Sequence, residues 1–251
     1  MGLYREQGIV LRTIRLGEAD RIVSIMTQGR GKVRAVAKGV RKTKSRFGSR
    51  LEPLAHVSLL LYEGRELDVV TQAEALEHFR VVREDLDRLA KASSLLEAAD
   101  QLAQERHANS RLYAMLLGGL RALTVADSAV LVPAFFLKLL SLEGFRPVVD
   151  ACAVCEGDGE LVGFDLDAGG VLCRACAGPR VRRLRPDGLD LVRRVLGGDL
   201  AGALAEPAGP AVDEVTGLAT AALEHHLERR LRSIGVVPAA GRSGSVAAAG
   251  R

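Results

Sequence analysis

The 251-residue chain is 48% apolar with a formal charge of +4, which argues against a disordered polyelectrolyte and leaves room for more than one hydrophobic core. Its longest apolar runs, such as residues 129–140, are too short for a membrane span and carry Lys138. The start MGLYREQGIV lacks a secretory-signal layout, so the expected location is cytoplasmic, and four cysteines in that reducing setting argue against a disulfide frame.

Residues 1–80 read as strands. Gly8–Ile14 and Arg21–Thr27 are rich in β-branched residues, with a turn at Gly17–Asp20 between them. Lys32–Lys38 alternates, with Val33, Ala35 and Ala37 on one face and Lys32, Arg34, Val36 and Lys38 on the other. A period of two suits a strand with one face on a core and the other on solvent or phosphate. Val57–Tyr62 and Glu66–Ala75 read as two further strands about a turn at Glu63–Arg65. Five short strands in this space fit a small closed barrel of the oligonucleotide-binding kind, with a β-sandwich fragment as the alternative.

Charge is concentrated in this region. Nine basic residues lie between Arg30 and Arg50 with no Asp or Glu among them, so the rest of the chain is net acidic. Four of the six lysines fall here, whereas arginine is spread along the whole length. A local cluster of this kind attracts a polyanion, because each cation laid on a phosphate releases condensed counterions. The candidate DNA contacts are Lys32, Arg34, Lys38, Arg41, Lys42, Lys44, Arg46 and Arg50. Phe47 and Tyr62 are the aromatic side chains here that could stack a base, so binding should fall mainly on the backbone with little sequence readout. The plainer reading is a solvated loop that is merely basic.

From Val81 the period changes to threes and fours, which predicts a helix over Val81–Arg106 and a second over Arg111–Leu123. Asp127 is placed to cap the next helix, Pro133 implies a kink or a fresh start, and Ala134–Leu142 is apolar almost all round. Gly144 and Pro147 form a stop signal. Cys152 and Cys155, then Cys173 and Cys176, form two C-x2-C pairs separated by seventeen residues. Each pair can hold one edge of a tetrahedron, so the spacing predicts one structural zinc with no open coordination position. Redox thiols or an iron centre are the rivals. Pro186–Leu196 and Glu206–Leu231 read as further helices, and a small-residue tail follows. No catalytic constellation emerges: the histidines are scattered, and neither a phosphate-cradling glycine motif nor a tight acidic set is present. A non-enzyme is expected.

The stretches GIVLRTIRLGEADRIVSIMTQGRGK and VRAVAKGVRKTKSRFGSRLEP resemble the N-terminal barrel of the bacterial RecO family, and FFLKLLSLEGFRPVVDACAVC resembles its passage from helix to knuckle. The resemblance covers roughly residues 1–235. It implies an α+β chain: an OB-fold barrel over 1–80, a helical domain over 81–150 and 181–237, and a four-cysteine zinc insertion over 151–180; the tail over 238–251 lies outside the resemblance and is expected to be disordered from its small-residue composition. It further implies a nucleoid-associated DNA repair protein that binds single- and double-stranded DNA and anneals complementary strands. Such a protein would help load RecA onto strands coated with single-strand-binding protein, together with RecR. Lys32, Arg34, Lys38, Arg41, Lys42, Lys44 and Arg46 match the family's basic strand and loop by position. In the family the tail of single-strand-binding protein docks on the helical domain, which directs attention to Phe135, Lys138 and Leu139. The family's basic pocket position falls near Ala134 and Phe135, neither of which is basic, leaving Lys138 as the substitute cation. A zinc-ribbon RNA-binding or translation factor, and a scaffold recruiting an acidic protein, are the competing classes.

Overall fold

The structure is a computed structural model, and it describes residues 2–43, 45 and 47–233. Strands β1 (Leu3–Leu16), β2 (Asp20–Thr27), β3 (Gly31–Ala37), β4 (His56–Tyr62) and β5 (Asp68–Glu77) close into a barrel in the order β1-β2-β3-β5-β4. The length of β1 makes the closure possible. Its first half pairs with β4, from Leu3 opposite Tyr62 to Ile9 opposite His56, and its second half pairs with β2 as far as Leu16 opposite Asp20. An irregularity between Val10 and Arg12 lets the strand bend from one partner to the other. The remaining seam is short and parallel, with Ala35 and Val36 opposite Asp68 and Val69. The expected barrel is therefore present.

Its interior is filled by Val10, Val23, Ile25, Val57, Leu59, Leu61 and Val70, with Ala35, Ala37 and Ala73 where the barrel is too narrow for more. Phe47 and Leu51, from the 3-10 turn Gly48–Leu51 and the residue before it, pack into the same core. At the parallel seam the buried Asp68 accepts hydrogen bonds from the Tyr4 hydroxyl, the Gly64 N–H (3.0 Å) and the Arg106 guanidinium (2.9 Å). Burial, and then the neighbouring Asp68, hold the Tyr4 hydroxyl protonated well beyond the ordinary tyrosine range.

Contacts group the chain into two units. The first holds residues 2–127, 142–144 and 226–233, so it joins the barrel to helices α1 (Arg80–Glu84), α2 (Leu86–Leu102) and α3 (Ser110–Val125). The expected single helix over Val81–Arg106 is two, and the reason is Asp85. It is extended (φ −117°, ψ 120°), and its carboxylate accepts the N–H groups of Asp87 and Arg88, starting α2 afresh. The buried His56 ties barrel to helices, with Nδ1 3.0 Å from Glu77 and Nε2 2.8 Å from the Tyr113 hydroxyl on α3. Gly31 is confined to glycine twice over: its φ is +67°, and a Cβ there would lie 1.8 Å from the carbonyl oxygen of His107.

The second unit holds residues 128–141 and 145–225. Helix α4 (Leu131–Leu142) begins where the Ala134 N–H meets the Val130 carbonyl, so Pro133 lies in its first turn, where it is tolerated. Asp127 does not cap this helix; its carboxylate takes Lys91 at 2.5 Å. The stop signal holds, with Gly144 at φ +90° and the Phe145 N–H returning to Leu140. A small sheet follows, in the order β7 (Gly170–Cys173), β6 (Leu161–Asp165), β8 (Arg182–Arg183). Helices α5 (Pro186–Gly197), α6 (Leu200–Leu204) and α7 (Pro210–Leu227) complete the unit. The expected helix Glu206–Leu231 is thus shorter at both ends, because Pro210 starts it and Glu228 adopts a left-handed φ of +51°. The short α6, started by Asp199, carries too few residues for a periodic signal.

Candidate nucleic-acid interface and metal centre

Strand β3 alternates as its sequence predicts: Val33, Ala35 and Ala37 are buried while Lys32, Arg34 and Val36 are half-buried. The cations of this region separate into two sets. Those on the β2–β3 turn and the strand are engaged internally. Arg30 lies 4.0 Å over the Tyr4 ring and 3.4 Å from Glu63. Lys32 Nζ donates to the Asp100 carbonyl at 2.6 Å and stands 3.5 Å from its carboxylate. Arg34 pairs with Glu105 at 3.5 Å, and its Nε is buried without a hydrogen-bond partner among the described residues. The basic run contains no acid, but the fold brings acids to it from distant positions.

The second set begins where the strand ends. Lys38, Arg41, Lys42 and Arg50 are exposed, and the side chains of Lys38 and Lys42 have no partner among the described residues. Arg41 donates to the carbonyls of Gly17 (3.4 Å) and Glu18 (2.8 Å), and its N–H goes to Ala19. Asp20 accepts the Gly39 N–H at 2.7 Å. These bonds hold the start of the loop against the β1–β2 turn, so its charges stand on a fixed base. Lys44 and Arg46 lie outside the described residues. Phe47 corrects an expectation: at 1% exposed it fills the barrel and cannot stack a base, whereas Tyr62 is 44% exposed. A single aromatic residue inside a basic loop reads equally as a stacking platform or as an anchor, and here the apolar barrel end claims it.

The two C-x2-C pairs converge. Cys152 and Cys155 lie on a turn closed by Glu156 N–H to Cys152 carbonyl (2.9 Å), and Cys173 and Cys176 on one closed by the Cys176 and Ala177 N–H groups to the Cys173 carbonyl. Strands β6 and β7 form the hairpin that brings the pairs together. All four Sγ atoms lie within 4.8 Å of one another, and those of Cys155 and Cys173 are 3.8 Å apart. A tetrahedron with bonds of about 2.3 Å has edges of about 3.8 Å, so the donor set fits a thiolate-bound metal ion. The thiols do not ionise alike. Backbone N–H groups of Cys155 and Cys173 bring Cys152 down to about 6, while the neighbouring sulfurs of Cys173 and Cys155 push Cys176 up to about 12. One thiolate is favoured at Cys152 while Cys155 and Cys176 oppose further charge, which is the condition a bound cation relieves.

On α4, Phe135 is 5% exposed and Leu139 fully buried, with Lys138 the one of the three that reaches solvent. The helix is an interior element, and the excess apolar surface seen in its sequence is taken up by packing. Among the described residues no helix is long and apolar enough to cross a membrane.

A closed five-stranded barrel bearing an exposed basic loop, followed by helices and a four-cysteine cluster, defines an OB-type chain with a candidate metal knuckle. Residues 1–79 match the family described as recombination protein O N terminal, and residues 83–234 the one described as recombination protein O C terminal. The DNA repair protein RecO of Frankia casuarinae is 43% identical over 238 residues, covering 93% of this chain and 98% of that protein. The same-named proteins of Nocardioides sp. (43% identical, 94% and 99% covered) and Bifidobacterium longum (40% identical, 94% and 99% covered) are similarly related. The chain belongs to the RecO family.

Proposed function

We propose that this chain is a DNA-binding recombination mediator in DNA repair, acting without catalysis. It binds single- and double-stranded DNA, anneals complementary strands, and with RecR helps load RecA onto strands coated with single-strand-binding protein. The observation that carries the reading is the exposed set Lys38, Arg41, Lys42 and Arg50 beside an OB-type barrel, in a RecO-family chain. Lys44 and Arg46 extend the same basic run in sequence. Lys32 and Arg34 contribute at the strand through whatever valence their internal partners leave. Phosphate contact through long cations with no adjacent stacking surface favours any sequence about equally.

Cys152, Cys155, Cys173 and Cys176 hold one zinc ion as a structural centre. With four protein ligands it supplies cohesion to the knuckle and no reactive position. The tail of single-strand-binding protein docks on the helical domain near Phe135, Lys138 and Leu139; Lys138 meets its acidic charge, and the buried pair supports the helix that presents it.

Strand annealing with and without single-strand-binding protein tests the whole reading, and acceleration in both conditions is expected. The triple variant Lys38→Ala, Arg41→Ala, Lys42→Ala should lower the log–log salt slope of DNA binding by about three, roughly one per phosphate contact removed. An unchanged slope puts the site elsewhere, and preference for RNA over DNA in the annealing assay replaces the reading with an RNA-binding one.

A further inference from the structure

Within the first unit a cleft of about 640 Å³ opens between the outer face of the barrel, α2, and the segment that follows α7. Its lining carries five cations, Arg12, Lys32, Arg229, Arg230 and Arg232, and two carboxylates, Glu97 and Asp100. Both carboxylates are already engaged. Asp100, only 7% exposed, takes the Arg12 Nε at 2.6 Å and sits 3.5 Å from Lys32 Nζ. The two oxygens of Glu97 accept the backbone N–H groups of Arg232 (2.9 Å) and Ser233 (2.7 Å). Lys32 donates to the Asp100 carbonyl at 2.6 Å, and Arg229 donates to Gln101 at 2.8 Å.

What remains is guanidinium on opposite walls. Arg12 binds Asp100 through Nε and is still 46% exposed, which leaves its terminal amines to the cleft. Facing it, Arg230 and Arg232 are exposed, and Arg230 has no side-chain partner among the described residues. A concave site of this charge excludes a cation and an apolar ligand. Of its apolar members, Leu11 and Leu96 are buried beneath the polar surface and Pro53 alone is half-buried, which is too little for a bulky hydrophobic anchor of the kind a peptide terminus needs. Its lining contains no aromatic residue, so it offers no platform on which bases could stack. A chain of repeated monoanions is the ligand that long planar cations on two walls suit.

We propose that this cleft is a second polyanion site, holding the phosphodiester backbone of a nucleic-acid strand independently of the basic loop. The inference rests on the DNA-binding reading above and adds a second seat to it. Lys32 at the cleft and Lys38 at the loop are six residues apart along one extended stretch, about 20 Å. That exceeds the screening length of about 10 Å at 0.1 M salt, so two strands can be held together without strong mutual repulsion. A chain with two backbone-only seats brings strands close while leaving their bases free to pair.

The experiment measures how many oligothymidylates of about eight nucleotides, within the span one small barrel covers, the full-length chain binds at about 0.1 M salt, where the two seats are screened from each other. Two per chain are expected for the wild type. Arg230→Ala with Arg232→Ala should leave one and slow annealing about tenfold, while retaining the far-ultraviolet dichroism of the wild type. Arg230→Lys with Arg232→Lys should keep two, which separates loss of charge from loss of fold. The loop variant should also leave one, and combining loop and cleft variants should leave none. One oligonucleotide per wild-type chain, or two in the Arg230→Ala, Arg232→Ala chain, overturns the cleft assignment and leaves the DNA-binding reading standing. No binding by the wild type overturns both. A cleft variant that loses an acidic peptide but keeps both oligonucleotides reassigns the cleft to a protein partner.

Discussion

The barrel and the cysteine knuckle are both small β structures, yet they are closed by different physics. The barrel encloses thirteen mutually packed buried residues, including Phe47 and Leu51, and its strands pair all the way round. The knuckle's own cluster of buried residues is Leu172 with Cys152 and Cys173, under a sheet whose third strand is two residues long. Burial at roughly 25 cal/mol per Å² orders the first far more strongly than the second, so the second would draw its cohesion from a metal ion that its four close cysteines could hold. Removing that ion is accordingly the largest perturbation. Structural zinc contributes on the order of 10 kcal/mol in small peptides. A strong chelator, or Cys173→Ser, should open residues 151–183 to protease while the barrel keeps its thermal transition. Metal analysis of protein purified under reducing conditions should give about one zinc per chain. Absence of zinc, or barrel and knuckle melting together on chelation, erases the contrast.

The reciprocal experiment attacks the barrel alone. Phe47 is among the largest fully buried side chains, and it comes from the loop and not from a strand. Phe47→Ala should cost about 3–5 kcal/mol in urea unfolding and leave zinc content at the wild-type value. Were the ring a stacking platform, the same change would weaken single-strand binding and leave the unfolding midpoint in place. The two outcomes differ in kind, so one variant decides between them.

These contrasts also explain what the sequence could reveal. The barrel was legible because period two is local: Val33, Ala35 and Ala37 announce a face before any partner is known. The cysteine site was legible because two C-x2-C pairs carry their geometry in their spacing. Phe47 was misread because aromatic character in a basic loop does not say which way the ring points. The helix break at Asp85 was hidden because a capping aspartate in an otherwise periodic run resembles a surface charge. The engagement of Lys32 by Asp100, 68 residues away, has no local signal at all. For the same reason the cleft went unseen: Arg12, Arg230 and Arg232 are scattered arginines until the chain after α7 is laid beside α2.

That returning segment sharpens the comparison last and by the smallest effect, because neither a deep core nor a metal holds it. Leu231 is buried, and just after it Glu97 accepts the backbone N–H groups of Arg232 and Ser233. Burial pushes the Glu97 carboxyl up, yet the bonds from Ser233 and Arg232 outweigh it and hold the group below its ordinary value of 4.5. A folded-state value below the unfolded one means stability that is fully present above pH about 4.5 and is lost as pH falls through the depressed value. The segment should therefore loosen in mild acid before the barrel unfolds. Hydrogen exchange, corrected for intrinsic rates, should show the Arg232 and Ser233 amides protected at pH 6 and progressively released as the pH falls below 4.5, with the β1–β4 amides protected throughout. Glu97→Gln keeps one acceptor and no charge, so it should lower protection at pH 6 by about 1 kcal/mol and remove the pH dependence. Protection of these two amides that stays constant from pH 6 down to the acid limit of the barrel would show that the contacts of Leu231, and not the carboxylate, hold the segment in place.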